Sequence, residues 1–220
     1  MTSKKRVVLI TGAESGIGKS TSKIFLDNGY KVICTYLKNN NNKNTKDIEY
    51  HRIDITKNKD WENLALYIKK KFKKIDVLVN SAGVRLSGNL ETTSMSDWSY
   101  HLNNNVTGSF LACKYILPFL KKAKNSSIIN VASINSIRGA KNMLAYATSK
   151  SAVISFTASL ALDLTKNKIR VNAVAPGAIE TPMLASFKKD LSLKEYQKRM
   201  RENHPIAVSY THLRAHETIN

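Results

Sequence analysis

Apolar positions along this chain follow two rhythms. Short, nearly unbroken apolar runs alternate with longer stretches in which apolar residues return every three or four positions. The short runs predict strands in KRVVLIT, YKVICTY, IEYHRID, KIDVLVNSA, SSIINVAS and IRVNAVAP. The longer stretches predict helices over GKSTSKIFLDNG, closed by Gly29, and over Asp60–Phe72, Ser96–Lys122, Tyr146–Thr165 and Leu193–Glu202. Apolar strands, each followed by an amphipathic helix, imply a parallel sheet covered on both faces. The expected class is therefore α/β, a doubly wound parallel sheet. The Asn-rich stretch 39–46 reads as a surface loop rather than a linker, and no internal repeat interrupts the pattern.

Composition narrows this picture. A chain of 220 residues, 42% hydrophobic, suits one domain with a real core. No apolar run approaches the roughly 18–20 residues that span a bilayer, and Val7–Ile10 is too short for a signal peptide. The cytoplasm is the expected location. Cys34 and Cys113 lie far apart without metal-ligand spacing, so two reduced, buried thiols and no metal are expected. The net charge of +19 invites a nucleic-acid reading. Lysine supplies 27 of the 35 basic residues, however, and Asn occurs 21 times. These are the residues that an AT-rich genome writes at neutral surface positions. The lysines are also scattered, with only short clusters such as 69–74. A drifted, solvated surface is the simpler account. A basic face for nucleic acid or for an acidic carrier protein is the alternative.

The first predicted strand runs into LITGAESGIGKS, which opens the first helix. Gly12, Gly16 and Gly18 are spaced G-x-x-x-G-x-G. Gly12 lets the chain turn off the strand, Gly16 lets the backbone approach a pyrophosphate, and Gly18 allows the helix to pack closely on the strand. The helix N-terminus would then offer free N–H groups and a positive dipole end to phosphates. A structural turn with no ligand is the other reading. With the strand–helix alternation, the loop points to a Rossmann-like domain.

A second constellation lies in SINSIRGAKNMLAYATSK. Tyr146 and Lys150 are four apart on a predicted helix and share a face. A phenol titrating near pH ~10 is a poor acid–base catalyst, and a neighbouring ammonium would pull its pKa down. Ser133, at the end of the preceding strand, is placed to hydrogen-bond a substrate oxygen beside Tyr146. Taken singly, Y-x-x-x-K matches many solvated pairs; behind a glycine loop of this spacing it reads as catalytic.

Together these motifs resemble the short-chain dehydrogenase/reductase family, from about residue 5 to residue 207. The family's T-G-x-x-x-G-I-G appears as Thr11–Gly18, including Ser15 and Ile17. Its N-N-A-G appears as Asn80-Ser81-Ala82-Gly83, with Ser for the second Asn. The Asn of its fourth helix matches Asn105, its triad Ser133, Tyr146 and Lys150, and its P-G motif Pro176-Gly177. The resemblance implies that Tyr146 exchanges the proton of a carbonyl or alcohol oxygen. Lys150 would bind the nicotinamide ribose and lower the Tyr146 pKa, and Ser133 would orient the substrate oxygen. Asn105 would hold a water linking Lys150 to solvent. Asp54, with Ile55 beside it, matches an adenine-contacting Asp, or else caps the next helix. Asn80 would steady the central strand and the adenosine ribose side, Ala82 and Gly83 continue that wall, and Ile179 and Thr181 would line the nicotinamide.

Cofactor choice turns on the end of the second strand, where an acid would accept hydrogen bonds from an adenosine 2′-OH. Tyr36 stands there with Lys38 close by, and no acid follows before Asp47. NADP(H) is therefore expected over NAD(H), although Glu14-Ser15 lacks the basic residue of many NADP-preferring relatives. VNAVAPGAIETPM resembles the 3-oxoacyl-acyl-carrier-protein reductases, a pattern shared with sugar, steroid and alcohol dehydrogenases. A 3-oxoacyl thioester is the candidate substrate, and a homo-oligomer, a tetramer, the assembly expected of the full-length parent. The alternatives are an NAD-dependent alcohol or sugar dehydrogenase, a non-catalytic NADP(H)-binding protein and a basic nucleic-acid-binding protein.

The likeness covers 1–207 as one domain and stops after His204-Pro205-Ile206, beyond the helix–loop region Ala185–Pro205. The family's further helix and final Gly/Val-rich strand do not follow, so the doubly wound sheet is expected to lack its last strand. VSYTHLRAHET can be written, in one frame, as a transposon-end sequencing adapter. Residues 208–220 are therefore expected to be non-native, and His212 and His216, at i, i+4, carry no metal reading. With an unpaired strand edge, the 220-residue chain is expected to dissolve or assemble poorly.

Overall fold

The computed structural model describes residues 5–38 and 43–189. The helix expected at Leu193–Glu202 and the tail 208–220 lie outside the described residues. Six strands form one parallel sheet: β1 (Val7–Ile10), β2 (Lys31–Tyr36), β3 (Ile48–Arg52), β4 (Val77–Asn80), β5 (Ser127–Val131) and β6 (Arg170–Val174). Their order is β3-β2-β1-β4-β5-β6. Val7 and Leu9 enter a core with Trp61, Ile68, Leu78, Ile116 and Ile128. Val8 and Ile10 enter a second core with Val32, Cys34, Val77 and Val79. Alternate side chains leave opposite faces of a strand, so burial on both faces makes β1 apolar throughout.

The helices are α1 (Gly16–Asp27), α2 (Asn58–Lys71), α3 (Met95–His101), α4 (Gly108–Leu120), α5 (Asn135–Arg138), α6 (Leu144–Asp163) and α7 (Pro182–Lys189). Residues of α2 and α4, with Phe156 and Leu160 of α6, close the first core, whereas Phe25 and Leu26 of α1 pack on the second. The helix expected over Ser96–Lys122 is in fact three pieces, because a π-helical turn, Leu102–Thr107, separates α3 from α4. Such a turn re-aims side chains that a regular helix would leave on its face. Here it contains Asn105, which is buried. The short α5 lies between Ser133 and Tyr146, where no helix was expected. Cys34 and Cys113 are both buried free thiols. Among the described residues no helix is long and apolar enough to cross a membrane.

Strand order reverses between β1 and β4, so the loops leaving these two neighbours diverge at their carboxyl ends. In open α/β sheets that divergence creates the crevice where ligands bind. Thr11 Oγ1 bridges it, accepting hydrogen bonds from the N–H groups of Ser81 and Ala82, both at 3.0 Å.

Candidate active site

A cleft of about 670 Å³ opens at this edge of the sheet. The glycine loop forms one wall. Gly12 has φ +64°, and a Cβ there would lie 2.8 Å from Ala82 Cα; a Cβ on Gly18 would lie 2.3 Å from the Gly12 carbonyl oxygen. Side chains there would collide with the protein's own backbone, so only glycines let the loop fold this tightly, as the turn beneath a dinucleotide pyrophosphate requires. Across the cleft a Cβ on Gly16 would come within 3.1 Å of Thr181 Cγ2. Of the expected residues, Gly12, Ser15, Gly16, Ile17, Gly18, Tyr36, Ile55, Ala82, Gly83, Ser133, Tyr146, Lys150, Pro176, Gly177, Ile179 and Thr181 line the cleft.

Lys38, Asp54, Asn80 and Asn105 are not among its walls. Asp54 Oδ1 is taken by the Thr56 N–H at 2.9 Å and the Thr56 hydroxyl at 2.7 Å. It thus makes a tight turn ahead of α2, whose N-cap is Lys57, and so caps no helix. Asn80 donates to Asn130 Oδ1 at 2.8 Å and to Cys113 Sγ at 3.4 Å, fastening β4 to β5 and α4. Asn105 donates to the Val84 carbonyl at 3.0 Å and to Ser149 Oγ at 2.8 Å, and accepts from the Val84 N–H at 2.8 Å.

Tyr146 and Lys150, one turn apart on α6, are both buried at the floor of the cleft. Ser133 hydrogen-bonds the Tyr146 phenol. Lys150 Nζ donates to the Val131 carbonyl at 2.7 Å. Lys150 Nζ and Asn105 Oδ1 meet over Gly83, where a Cβ would lie 3.3 Å from the former and 2.9 Å from the latter. Burial raises the Tyr146 pKa, against the Ser133 hydrogen bond and the positive charge of Arg85, which both lower it. Burial pulls the Lys150 ammonium down from 10.5 to about 8. Arg85 is thus a cation that acts on the phenol.

Arg85, which lines the cleft, was not singled out in the sequence. One Arg two residues after a glycine carries no pattern. Its placement comes from contacts remote in sequence. Val84 is held by Asn105, and the Leu86 N–H donates to His101 Nε2 at 2.9 Å. His101 in turn donates from Nδ1 to the Asp97 carbonyl at 2.7 Å. Gly88 then pairs with the approach to α6, donating to the Asn142 carbonyl at 2.8 Å and accepting from the Leu144 N–H at 3.0 Å. Arg85 thus sits between two tethered neighbours. Glu14 was likewise passed over as a ligand. It lines the cleft, and its Oε2 is buried without a hydrogen-bond partner. No group of three or more potential metal ligands occurs among the described residues.

A doubly wound sheet with a glycine cradle at its switch point and a Tyr–Lys pair facing it defines a dinucleotide-dependent oxidoreductase. The family model for short chain dehydrogenase matches residues 6–192, and the chain belongs to that family. It is 37% identical to the 3-oxoacyl-[acyl-carrier-protein] reductase FabG of Thermotoga maritima over 186 residues, 81% of this chain and 76% of the relative. Among solved structures it is similar to ElxO with NADP bound, with a TM-score of 0.77 and 31% identity over 89% of this chain and 83% of that one. It is also similar to the 3-ketoacyl-(acyl-carrier-protein) reductase of Brucella melitensis complexed with NADH, with a TM-score of 0.76 and 33% identity over 84% and 80%. Relatives of this kind are dehydrogenases and reductases, and this chain is an NAD(P)-dependent oxidoreductase.

Proposed function

We propose that the protein interconverts a carbonyl and an alcohol, with a 3-oxoacyl thioester as the carbonyl substrate. The observation that carries this reading is the convergence of Ser133, Tyr146 and Lys150 at one end of a cleft whose other end is the glycine cradle. Hydride exchange with the substrate carbon is the chemistry that a bound nicotinamide dinucleotide supplies. The glycine loop and the N-terminus of α1 would hold its pyrophosphate, and Pro176, Gly177, Ile179 and Thr181 its nicotinamide end. Tyr146 gives its phenolic proton to the carbonyl oxygen during reduction and recovers one from the alcohol in the reverse direction. Ser133, already bonded to that phenol, holds the same oxygen. Lys150 would meet the ribose, and Asn105, whose Oδ1 lies with Lys150 Nζ over Gly83, fixes Val84 and Ser149.

The thioester is supported by the likeness to the Thermotoga maritima reductase and by the charge of +19, which suits an acidic carrier. Tyr36 at the end of β2 and Lys38 after it support NADP(H), whereas Glu14 in the cleft bears the other way. We also propose a cytoplasmic homo-oligomer, a tetramer in its full-length form. Phe110 of α4, 46% exposed and edge-on to Phe156 of α6 at 6.4 Å, offers an apolar outer face for it.

The test is oxidation of NADH and NADPH with a 3-oxoacyl thioester, free and carrier-bound, beside simple ketones and sugars. Tyr146→Phe should cut turnover by roughly 10²–10⁴-fold while dinucleotide binding persists. Turnover of the carrier-bound thioester should weaken with salt more than that of the free one. Preference for a sugar or a simple ketone would overturn the substrate reading, and undiminished turnover in Tyr146→Phe the catalytic one.

A further inference from the structure

Dinucleotide selectivity in this fold is set where the adenosine ribose meets the end of β2. That strand ends at Tyr36 without a carboxylate. The next acid along the chain, Asp47, is ion-paired with Lys5 and Lys31, each at 3.0 Å, and is not part of the cleft. A carboxylate reaches the site from another element. The Ala13 N–H donates to the Thr35 carbonyl at 2.9 Å, clamping the glycine loop onto the end of β2. Glu14 follows at once and lines the cleft with Thr35, Tyr36 and Leu37. Its carboxylate acts on Cys34, a β2 residue, helping to raise that thiol's pKa behind the larger effect of burial.

The Oε2 atom of Glu14 is shielded from solvent and has no hydrogen-bond partner. An ionised carboxylate only accepts, and a buried acceptor without a donor is costly. A vicinal diol supplies the missing donors. A 2′-phosphate removes one of the two donors, leaving only the 3′-OH, and adds like charge in a site of reduced dielectric. The cationic residues of the cleft wall, Arg85, Lys141 and Lys150, lie on the segments that carry or approach Tyr146. Lys38 and Arg52, the cations near the Glu14 end, stand outside that wall, and Arg52 Nε–H is given to the Leu37 carbonyl at 3.1 Å.

We propose that Glu14, from the glycine loop, does the work of the absent β2 acid: it accepts the adenosine ribose hydroxyls, and the enzyme takes NAD(H) in preference to NADP(H). The proposal rests on the dinucleotide-dependent reading above. It reverses the preference expected from Tyr36 and Lys38.

The experiment is equilibrium binding by calorimetry, without substrate, of NADH, NADPH, 5′-AMP and 2′,5′-ADP to the full chain. Wild type should bind NADH and 5′-AMP about tenfold or more tightly than their 2′-phosphorylated counterparts, the size of a charge-assisted hydrogen bond. The near-isosteric Glu14→Gln should lose most of that ratio, chiefly through weaker NADH binding. Glu14→Ser, which removes the charge and opens space, should bring NADPH level with NADH or ahead of it. Lys38→Ala and Arg52→Ala should leave the ratio alone. Tighter NADPH binding by wild type, a ratio unmoved in both Glu14 variants, or a ratio governed by Lys38 or Arg52 would overturn this inference and leave the oxidoreductase reading standing. If neither dinucleotide binds, both fall.

Discussion

Lys150 is a costly side chain to bury, and replacing it should show this. Burial brings its ammonium from 10.5 to about 8. At about 1.4 kcal/mol per pH unit, that depression corresponds to about 3 kcal/mol of destabilisation while the group is charged. Its hydrogen bond to the Val131 carbonyl at 2.7 Å offsets part of the cost, by about 1 kcal/mol. Methionine has nearly the same length, no charge and no donor. Lys150→Met should therefore be about 2 kcal/mol more stable than wild type at pH 7, while turnover collapses.

The pH dependence gives the argument its sign. Below about pH 8 the lysine is protonated in both folded and unfolded chains, and the full cost is present. Between pH 8 and 10.5 the unfolded chain holds more protons, so wild type gains stability relative to Lys150→Met as pH rises. Above 10.5 only the lost hydrogen bond separates the two, now in favour of wild type. Urea denaturation of both proteins from pH 7 to 10.5 reads the difference as a shift in midpoint at constant slope. A variant no more stable than wild type at pH 7, or a gap that does not move with pH, would refute the reasoning.

Arg85→Leu removes a charge that lowers the Tyr146 pKa, so the limb of the rate profile set by that phenol should move to higher pH; a shift to lower pH, or none, counts against the placement of Arg85. Gly18→Ala would put a methyl 2.3 Å from the Gly12 carbonyl oxygen, and dinucleotide affinity measured by calorimetry should fall by an order of magnitude or more, on the order of what a misplaced binding loop costs. Asp76, 2% exposed, accepts from the Val7 N–H at 2.8 Å and from Lys74 Nζ at 2.9 Å. Its replacement by Ala should lower stability by about 3 kcal/mol in urea, because it strands a buried donor at the head of β1.

The sheet and the ends of the cleft were legible because each rests on local chemistry. β1, β2, β4 and β5 are buried on both faces, so their residues form runs that need no tertiary information to read. Tyr146 and Lys150 share a face by helical spacing alone. What the sequence hid depends on long-range contacts. The π-helical turn around Asn105 keeps a helical composition, and only the bonds to Val84 and Ser149 make its geometry useful. Arg85 acquires meaning from the tethers at Val84 and Leu86, provided by residues 105 and 101. Asp54 shows the opposite case: its position in a motif pointed to the cleft, whereas Ile55 beside it lines the cleft and Asp54 Oδ1 accepts from Thr56 in a local turn.

Glu14 carries the same lesson into the choice of ligand. Among the described residues, four buried side-chain atoms lack a hydrogen-bond partner: Glu14 Oε2, His51 Nε2, Asn80 Oδ1 and Thr93 Oγ1. Only Glu14 lines the cleft. Folding stability alone would select against an unpaired carboxylate oxygen and a desolvated ammonium within one small domain. Both are found at the same carboxyl edge of the sheet, where β1 and β4 part. On the proposed reading a ribose hydroxyl would answer each of them: as donor to Glu14 at the adenosine end and as acceptor from Lys150 at the nicotinamide end. The two costs would then be the two halves of one binding site, and a dinucleotide with both ribose diols free would relieve them together.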